Sequence, residues 1–339
     1  MKKENNITIH DIAKALKISG STVSRALNDN SRISEKTKKA VRDMAKKLGY
    51  QPNALASNLR TSCTNTIGVI IPRISRYFFS SAITGIEELA RTKGYNVIIC
   101  QSNDQESREA DCTQTLFASR VDGVISSIAI NTKNFDHYKT FTNRNIPLVF
   151  FDRVCDELET SQVVVDDFKG GFLAAEHLIS KGCKRIAHIS GPQHLNIYIN
   201  RHQGYLKALR KHNIAVDEDL IIESPLTRED GMACAKRLME STNPPDAIFA
   251  ANDTSALSII LYAKENGIRI PEDLAIVGFS NEPFSEYLNP SLTTIEQSGF
   301  DVGTKATELL LDIIDNKTGN QQETIVLPVK LIERESSNK

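Results

Sequence analysis

Residues 7–27, ITIHDIAKALKISGSTVSRAL, place two short apolar-periodic segments on either side of a tight turn. In the first, Ile9, Ile12, Ala13 and Leu16 recur at three- and four-residue spacing, which puts them on one face of a helix. Thr8, followed three residues on by Asp11, is a capping pair that starts it. In the second, Ser19 is placed to cap a helix whose inward face carries Val23 and Leu27 one turn apart, with Ala26 beside them. Ser21, Thr22, Ser24 and Arg25 then face outward. A helix with so narrow an apolar face, otherwise offering small polar groups and one arginine, suits the major groove of DNA. Small side chains let the backbone approach, hydroxyls suit phosphates or base edges, and arginine makes a bidentate contact to guanine. A small helical hairpin with a merely polar surface is the plain alternative.

Ser34 opens a third helix, SEKTKKAVRDMAKKLGY, in which Ala40, Val41, Met44, Ala45 and Leu48 form a stripe able to close a three-helix core, and Gly49 ends it. Charge sets this head apart. Residues 1–62 hold nine Lys and four Arg against five Asp and Glu, a net +8 in a chain whose total is −1, which leaves about −9 on the remainder. One basic module on a near-neutral chain implies phosphate binding at that end and a different kind of partner at the other.

After Tyr50 comes QPNALASNLRT. Pro52 bars a continuous helix from the head, and Asn53 is placed to cap a new one with Leu55 and Leu59 one turn apart. A helix of about two turns is unstable alone. Two such helices packed in a homodimer and pressed into the minor groove, with a leucine wedged between base steps, would support each other. An ordinary linker is the alternative.

At 339 residues and 40% hydrophobic content the chain has enough apolar material for two or three cores. From Thr66 the runs IGVII, NVIIC, DGVIS, PLVFF, QVVV, RIAHIS, DAIFAA and LAIVGF read as strands. Between them lie helical patterns such as Ser80 to Lys93, Ser107 to Ser119, Gly170 to Lys181, Arg201 to His212, Glu229 to Glu240 and Thr254 to Asn266. Continuous Val/Ile runs alternating with helices mean parallel sheets covered on both faces. The pattern restarts near Gly170. The expected fold is therefore an α/β core of two doubly wound parallel-sheet subdomains preceded by a small all-α helix-turn-helix domain. The expected boundaries are a head at 1–51, a hinge helix and linker at 52–65, and a core at 66–339. Within the core, the first subdomain takes 66–165 and 292–325, the second 166–291 and 326–339. In such sheets ligands sit outside the carboxyl ends of the strands. Two facing subdomains make a cleft that closes by a hinge motion.

Several function classes fall away. The longest apolar runs are far shorter than the roughly 20 residues needed to cross a bilayer, so no membrane span is expected. The N-terminus shows no secretory signal, which points to the cytoplasm. The six cysteines are widely spaced, without a CxxC pair or zinc spacing, and no metal or cofactor is expected. There is no GxGxxG, Walker loop, HExxH or G-x-S-x-G. Asp166-Asp167 and Asn252-Asp253 follow strands, where Asp is usually a helix cap, so catalysis is not expected.

TIHDIAKALKISGSTVSRALN, YQPNALASNLRT, IGVIIP, DAIFAAND, and IVGFSNEPF with LTTIEQ, in that order along the whole chain, resemble the LacI/GalR family of transcription regulators. The resemblance implies a head and hinge helix that bind operator DNA as a dimer. It also implies a core similar to periplasmic sugar-binding proteins, in which an effector in the cleft changes DNA affinity. On the head it implies base reading by Gly20, Ser21 and Arg25, with backbone contacts at Thr22, Ser24, Asn28 and Ser34. Leu59 matches the minor-groove wedge, with Arg60 beside it, and Thr8, Ser19 and Asn53 complete the expected DNA-facing set. Gly20 offers no side chain, so one reading position is silent. In the core the resemblance implies Phe78 and Phe79 as ligand-stacking aromatics, and Arg201 as the arginine that meets the ligand from the second subdomain. Asn252 and Gln297 match polar pocket groups, and Asp166, Ser280 and Asn281 complete the expected effector set. Stacking faces with arginine and amides suit a hydroxyl-rich ring, so a carbohydrate effector is expected. One departure concerns Ser280 and Asn281, which stand where many sugar-responsive members carry Asp.

The expected function is that of a sequence-specific DNA-binding regulator, a repressor, whose operator affinity is set by a small molecule in the cleft. A sugar-binding protein without a regulatory role would need export and has no use for the basic head. A flavodoxin-like enzyme would need a nucleophile or cofactor loop.

Overall fold

Three helices make the head: α1 (Ile9–Leu16), α2 (Gly20–Leu27) and α3 (Glu35–Leu48). Each starts at its expected cap. The Thr8 amide and hydroxyl donate to the Asp11 carboxylate at 2.8 and 2.7 Å, Ser19 Oγ accepts from the Thr22 amide at 3.1 Å, and Ser34 Oγ accepts from the Thr37 amide at 3.3 Å. α1 ends at Lys17 in the left-handed conformation, and the Ile18 amide donates to the Ala13 carbonyl at 3.0 Å. The chain therefore turns into α2 within three residues. Ile12, Ala13, Val23, Ala26, Val41 and Ala45 form the buried core.

One expected core position differs. Ala40 is exposed, and Lys38 is buried instead, its ammonium 3.0 Å from Asp29 and 2.8 Å from Glu35. Successive residues step about 100° around a helix. That step swings Ala40 off the stripe centred on Val41 and brings the stem of Lys38 towards it. Asp29 also meets Arg42 at 2.8 Å, which ties the loop after α2 to α3.

The computed structural model describes residues 7–50, 63–315 and 322–339, and divides into two units between residues 64 and 65. The second unit contains two six-stranded sheets. Strands β1 (Thr66–Ile71), β2 (Asn96–Gln101), β3 (Gly123–Ser126), β4 (Leu148–Phe151), β5 (Ser161–Val165) and β11 (Thr324–Leu327) make one, in the order β11-β5-β4-β3-β1-β2. Strands β6 (Ile186–Ser190), β7 (Ile221–Glu223), β8 (Ala247–Ala250), β9 (Ala275–Ser280), β10 (Thr293–Glu296) and β12 (Lys330–Ile332) make the other, in the order β12-β10-β9-β8-β6-β7. All neighbours pair in parallel except β10 with β12. The helices between them are α4 (Tyr77–Thr92), α5 (Glu106–Ala118), α6 (Asp167–Ser180), α7 (Asn196–Lys211), α8 (Arg228–Met239), α9 (Asp253–Glu265) and α10 (Gly299–Ile314), short helical turns aside. α7 starts five residues before the expected Arg201. Its first turn carries Ile197 and Tyr198, which belong to the buried core and also line a cleft.

The chain passes between the subdomains three times, after Val165, after Glu296 and after Leu327. The second passage corrects the boundary expected at 292. Thr293 pairs with Val277 and Glu296 with Ser280, so the run LTTIE is a strand of the second sheet and the chain crosses only after it. The third lies beyond 325, because Leu327 still pairs with Val165. In the second subdomain α6 and α7 touch backbone to backbone: a Cβ at Gly171 would collide with the Arg201 carbonyl, and one at Gly204 with the Phe168 carbonyl. This close approach seats Arg201 against the start of α6.

Candidate functional site

On the head, α2 buries Val23 and Ala26 and leaves Ser21 and Arg25 exposed, with Gly20, Thr22 and Ser24 half-buried. Thr8, Ser19, Asn28 and Ser34 are also exposed. Three of these hydroxyls already serve as caps, and the Asn28 amide donates to the Ser24 carbonyl at 2.7 Å. A Cβ at Gly20 would meet only the His10 ring at ordinary contact distance, so the silent reading position is not imposed by packing. Asn53, Leu59 and Arg60 lie outside the described residues.

In the core, a cavity of about 720 Å³ opens where the carboxyl ends of both sheets converge. Arg73 follows β1, Asp104 follows β2, Asp152 and Arg153 follow β4, Asn252 follows β8, Ser280 ends β9 and Gln297 follows β10. Five of the expected effector residues besides Asn252 bear on this cleft: Phe78, Phe79, Arg201, Ser280 and Gln297 all line it.

Arg201 is 3% exposed. Its Nε donates to Asp167 at 2.7 Å, one terminal nitrogen to the Ala251 carbonyl at 2.8 Å, and the other to Gln297 at 3.3 Å. The guanidinium lies 3.6 Å from the centre of the Phe279 ring. Gln297 in turn donates to Ser280 Oγ at 3.2 Å. Burial pushes the Asp167 carboxyl up, to about 7, against the pull of Arg201. Asn252 caps α9 through the Ser255 amide at 2.8 Å and donates to the Leu226 carbonyl at 3.2 Å.

The two phenylalanines line the cleft from within the core. Phe78 and Phe79 are 6% and 4% exposed and belong to the core of the first subdomain, edge-on to each other at 5.3 Å. Phe79 also meets Phe151 edge-on at 6.1 Å. Both residues also line the cleft, where the Arg153 guanidinium lies over the Phe79 ring, 6.0 Å from its centre.

Two expected residues stand apart from the cleft. Asp166 caps α6, accepting from the Lys169 amide at 2.8 Å. Asn281 is turned away, its side chain 3.0 Å from Glu296 and 2.9 Å from Arg334, and it lines a neighbouring cavity of about 530 Å³. Ser280 and Asn281 both have positive φ, 123° and 52°, and this double turn carries Asn281 out of the cleft.

The charged rim was missed from sequence. Arg73, Arg76, Asp104, Asp152 and Arg153 all line the cleft. Their signal was legible as a charge placed just past each apolar strand: IGVIIP-R, VIICQSN-D and PLVFF-DR. Burial works to raise the Asp104 carboxyl, but Arg153 and Arg73 hold it below the usual carboxylate range. Burial pushes Asp152 up, with Arg153 and Arg201 opposing.

Contacts bridge the subdomains around the cleft. Arg76 donates to the Thr254 hydroxyl. His194 Nε2 lies 2.8 Å from the Ile130 carbonyl, and the Asn196 side chain accepts from the Val154 amide at 3.1 Å and donates to the Asp152 carbonyl at 2.9 Å. Among the described residues no helix is long and apolar enough to cross a membrane.

Comparison with known proteins matches residues 8–53 to the lacI family of bacterial regulatory proteins and residues 175–337 to a periplasmic binding protein-like domain. A ribose operon repressor of Halalkalibacterium halodurans is 35% identical over 330 residues, 97% of each chain. Catabolite control protein A of Priestia megaterium is 32% identical, over 98% of this chain and 99% of that one. The Escherichia coli repressor CytR is 35% identical, over 92% and 91%. Among solved structures, the lac repressor dimer bound to operator and the anti-inducer ONPF superposes with a TM-score of 0.88 at 26% identity, over 99% of this chain and 100% of that one. A regulator from Enterococcus faecium with bound ribose gives 0.69 at 31% identity, over 80% and 98%.

Proposed function

The chain belongs to the LacI family of bacterial regulatory proteins, and from that premise we propose that it binds operator DNA as a homodimer and that a small molecule in the cleft sets its affinity. It is a DNA-binding transcription regulator with a periplasmic-binding-protein-like core, and its family consists of regulators rather than enzymes. The repressors among its relatives support repression as its action. α2 is the element that enters the major groove, with Ser21 and Arg25 on base edges and Thr22, Ser24, Asn28 and Ser34 on the backbone. Asn53, Leu59 and Arg60 belong to the hinge that meets the minor groove.

One observation carries the effector reading: the cleft draws polar groups from both subdomains, Arg153 and Asp104 from one wall, Arg201 and Asn252 from the other. A ligand touching both walls binds the closed state more tightly than the open one. Only such a difference in affinity lets it shift a conformational equilibrium. The ribose operon relative and the ribose-bound regulator support a sugar or sugar derivative.

The test is selection of bound duplexes from a random pool, followed by a salt titration on the winner. A near-palindromic site and a steep fall in affinity with salt are expected, since each phosphate contact releases counterions. Equal affinity for all sequences would overturn the reading.

A further inference from the structure

The chemistry of the ligand follows from which donors in the cleft lack acceptors, and this inference rests on the effector reading above. Arg73, Arg76 and Arg153 line the cleft from the first subdomain. One carboxylate, Asp104, serves two of them, at 2.6 Å from Arg73 Nε and 2.7 Å from Arg153 Nη1. It also accepts from the Ile130 amide at 3.2 Å. Its oxygens are occupied; Arg153 Nη1 also donates to the Ile128 carbonyl at 3.5 Å and Arg76 to the Thr254 hydroxyl, which leaves one buried guanidinium nitrogen over. Arg153 is 9% exposed, yet its buried Nε has no hydrogen-bond partner among the described residues. A desolvated cationic donor left unmatched is costly until an acceptor docks on it.

None of the other carboxylates of the cleft hydrogen-bonds Arg153 Nε. Asp253 is taken up by the Glu282 amide at 2.8 Å and by the hydroxyls of Ser285 and Thr294 at 3.0 and 2.6 Å. Burial pushes both Glu282 and Asp152 up, with Arg76 opposing at the first and Arg153 and Arg201 at the second. Glu229 also lines the cavity, from the first turn of α8.

Two helix ends act in the same direction. α4 and α7, each of 16 residues, begin at the cleft, where Phe78 and Phe79 of one and Ile197 and Tyr198 of the other line it. Neither Arg76 nor Leu195 caps its helix with a side chain. The positive ends of both helix dipoles therefore face the cavity. Ser280 Oγ, which also lines the cleft, is already held by Gln297 at 3.2 Å.

We propose that the effector carries an anionic group, a carboxylate or a phosphate, docked on Arg153, Arg73 and Arg76 at the start of α4, with its hydroxyl-bearing part directed to Gln297 and Asn252. The full chain is titrated by calorimetry and thermal shift with matched sets: glucose, glucuronate and glucose 6-phosphate; galactose and galacturonate; ribose and ribose 5-phosphate. Inorganic phosphate serves as the minimal anion. An anionic member should bind about tenfold or more tightly than its neutral counterpart. Preference for the uronates assigns the carboxylate, and preference for the sugar phosphates assigns the phosphate. Arg153→Gln should erase the preference. Arg73→Gln, at an exposed position, should weaken it and keeps the test in force if Arg153→Gln does not fold. Neutral sugars binding more tightly than their charged counterparts would overturn the anionic assignment and leave the effector reading standing. No stabilisation by any of these compounds would overturn both.

Discussion

Arg201 commits three donors to Asp167, the Ala251 carbonyl and Gln297 before any ligand arrives. Arg201→Ala leaves a buried carboxylate opposite nothing, at a cost of about 3–5 kcal/mol. The variant should show a large drop in urea midpoint, and Arg201→Met with Asp167→Leu should recover much of it; a single variant of unchanged stability would mean the pair is solvated. Arg25, the only long donor on the outward face of α2, has no such inward duty. Arg25→Ala should cost about 1–3 kcal/mol on the selected operator and flatten discrimination at one base pair per half-site. Uniform loss on every sequence would make it a phosphate contact. His188 sits fully buried on β6, stacked on Phe249 at 4.6 Å and Tyr205 at 5.0 Å, and burial pushes its imidazole from 6.5 down to about 3. The unfolded chain titrates near the ordinary value, so this stabilisation is full above about pH 6.5 and is lost as pH falls towards 3. About 2 kcal/mol should be gone at pH 5, and His188→Phe should show a shallower acid slope in denaturant melts. The resemblance singles out Arg201 but not its partner Asp167. Nothing in the run VVVDDF says which aspartate caps a helix and which is buried under an arginine 34 residues later.

At the level of elements, caps and strands were legible because their signals are local: Thr8 with Asp11, Ser19, Ser34, and unbroken Val/Ile runs. β10 and α10 were not, because LTTIE reads equally as strand or connector and its pairing with β9 is a long-range fact. The meeting of α6 and α7 at Gly171 and Gly204 is likewise invisible in one dimension. The hinge segment 53–60 is a proposal resting on its spacing of Leu55 and Leu59. Leu59→Ala should weaken specific binding and reduce the operator bend, while the effector affinity of the free protein stays unchanged. Energy transfer across a doubly labelled operator measures the bend. An unchanged bend and affinity would reduce the segment to a tether.

At the level of the whole molecule, the cleft contacts Arg76 to Thr254, His194 to Ile130 and Asn196 to Asp152 join the walls that an effector must also join. If the effector alters operator affinity by some factor, the operator must alter effector affinity by the same factor. Calorimetric titration of the effector with and without saturating operator duplex should return that equality. An operator that leaves effector affinity untouched, alongside an effector that changes operator affinity, would point to more than one protein species.

The three passages between subdomains bear on how the regulator is made. Neither half of the core is one stretch of polypeptide. During translation the head is complete once Tyr50 has emerged, but the first sheet keeps an open edge at β5 until Leu327 follows. A nascent or prematurely terminated chain thus carries a folded three-helix head together with an unfinished control unit. Only when β11 has been made is that edge covered.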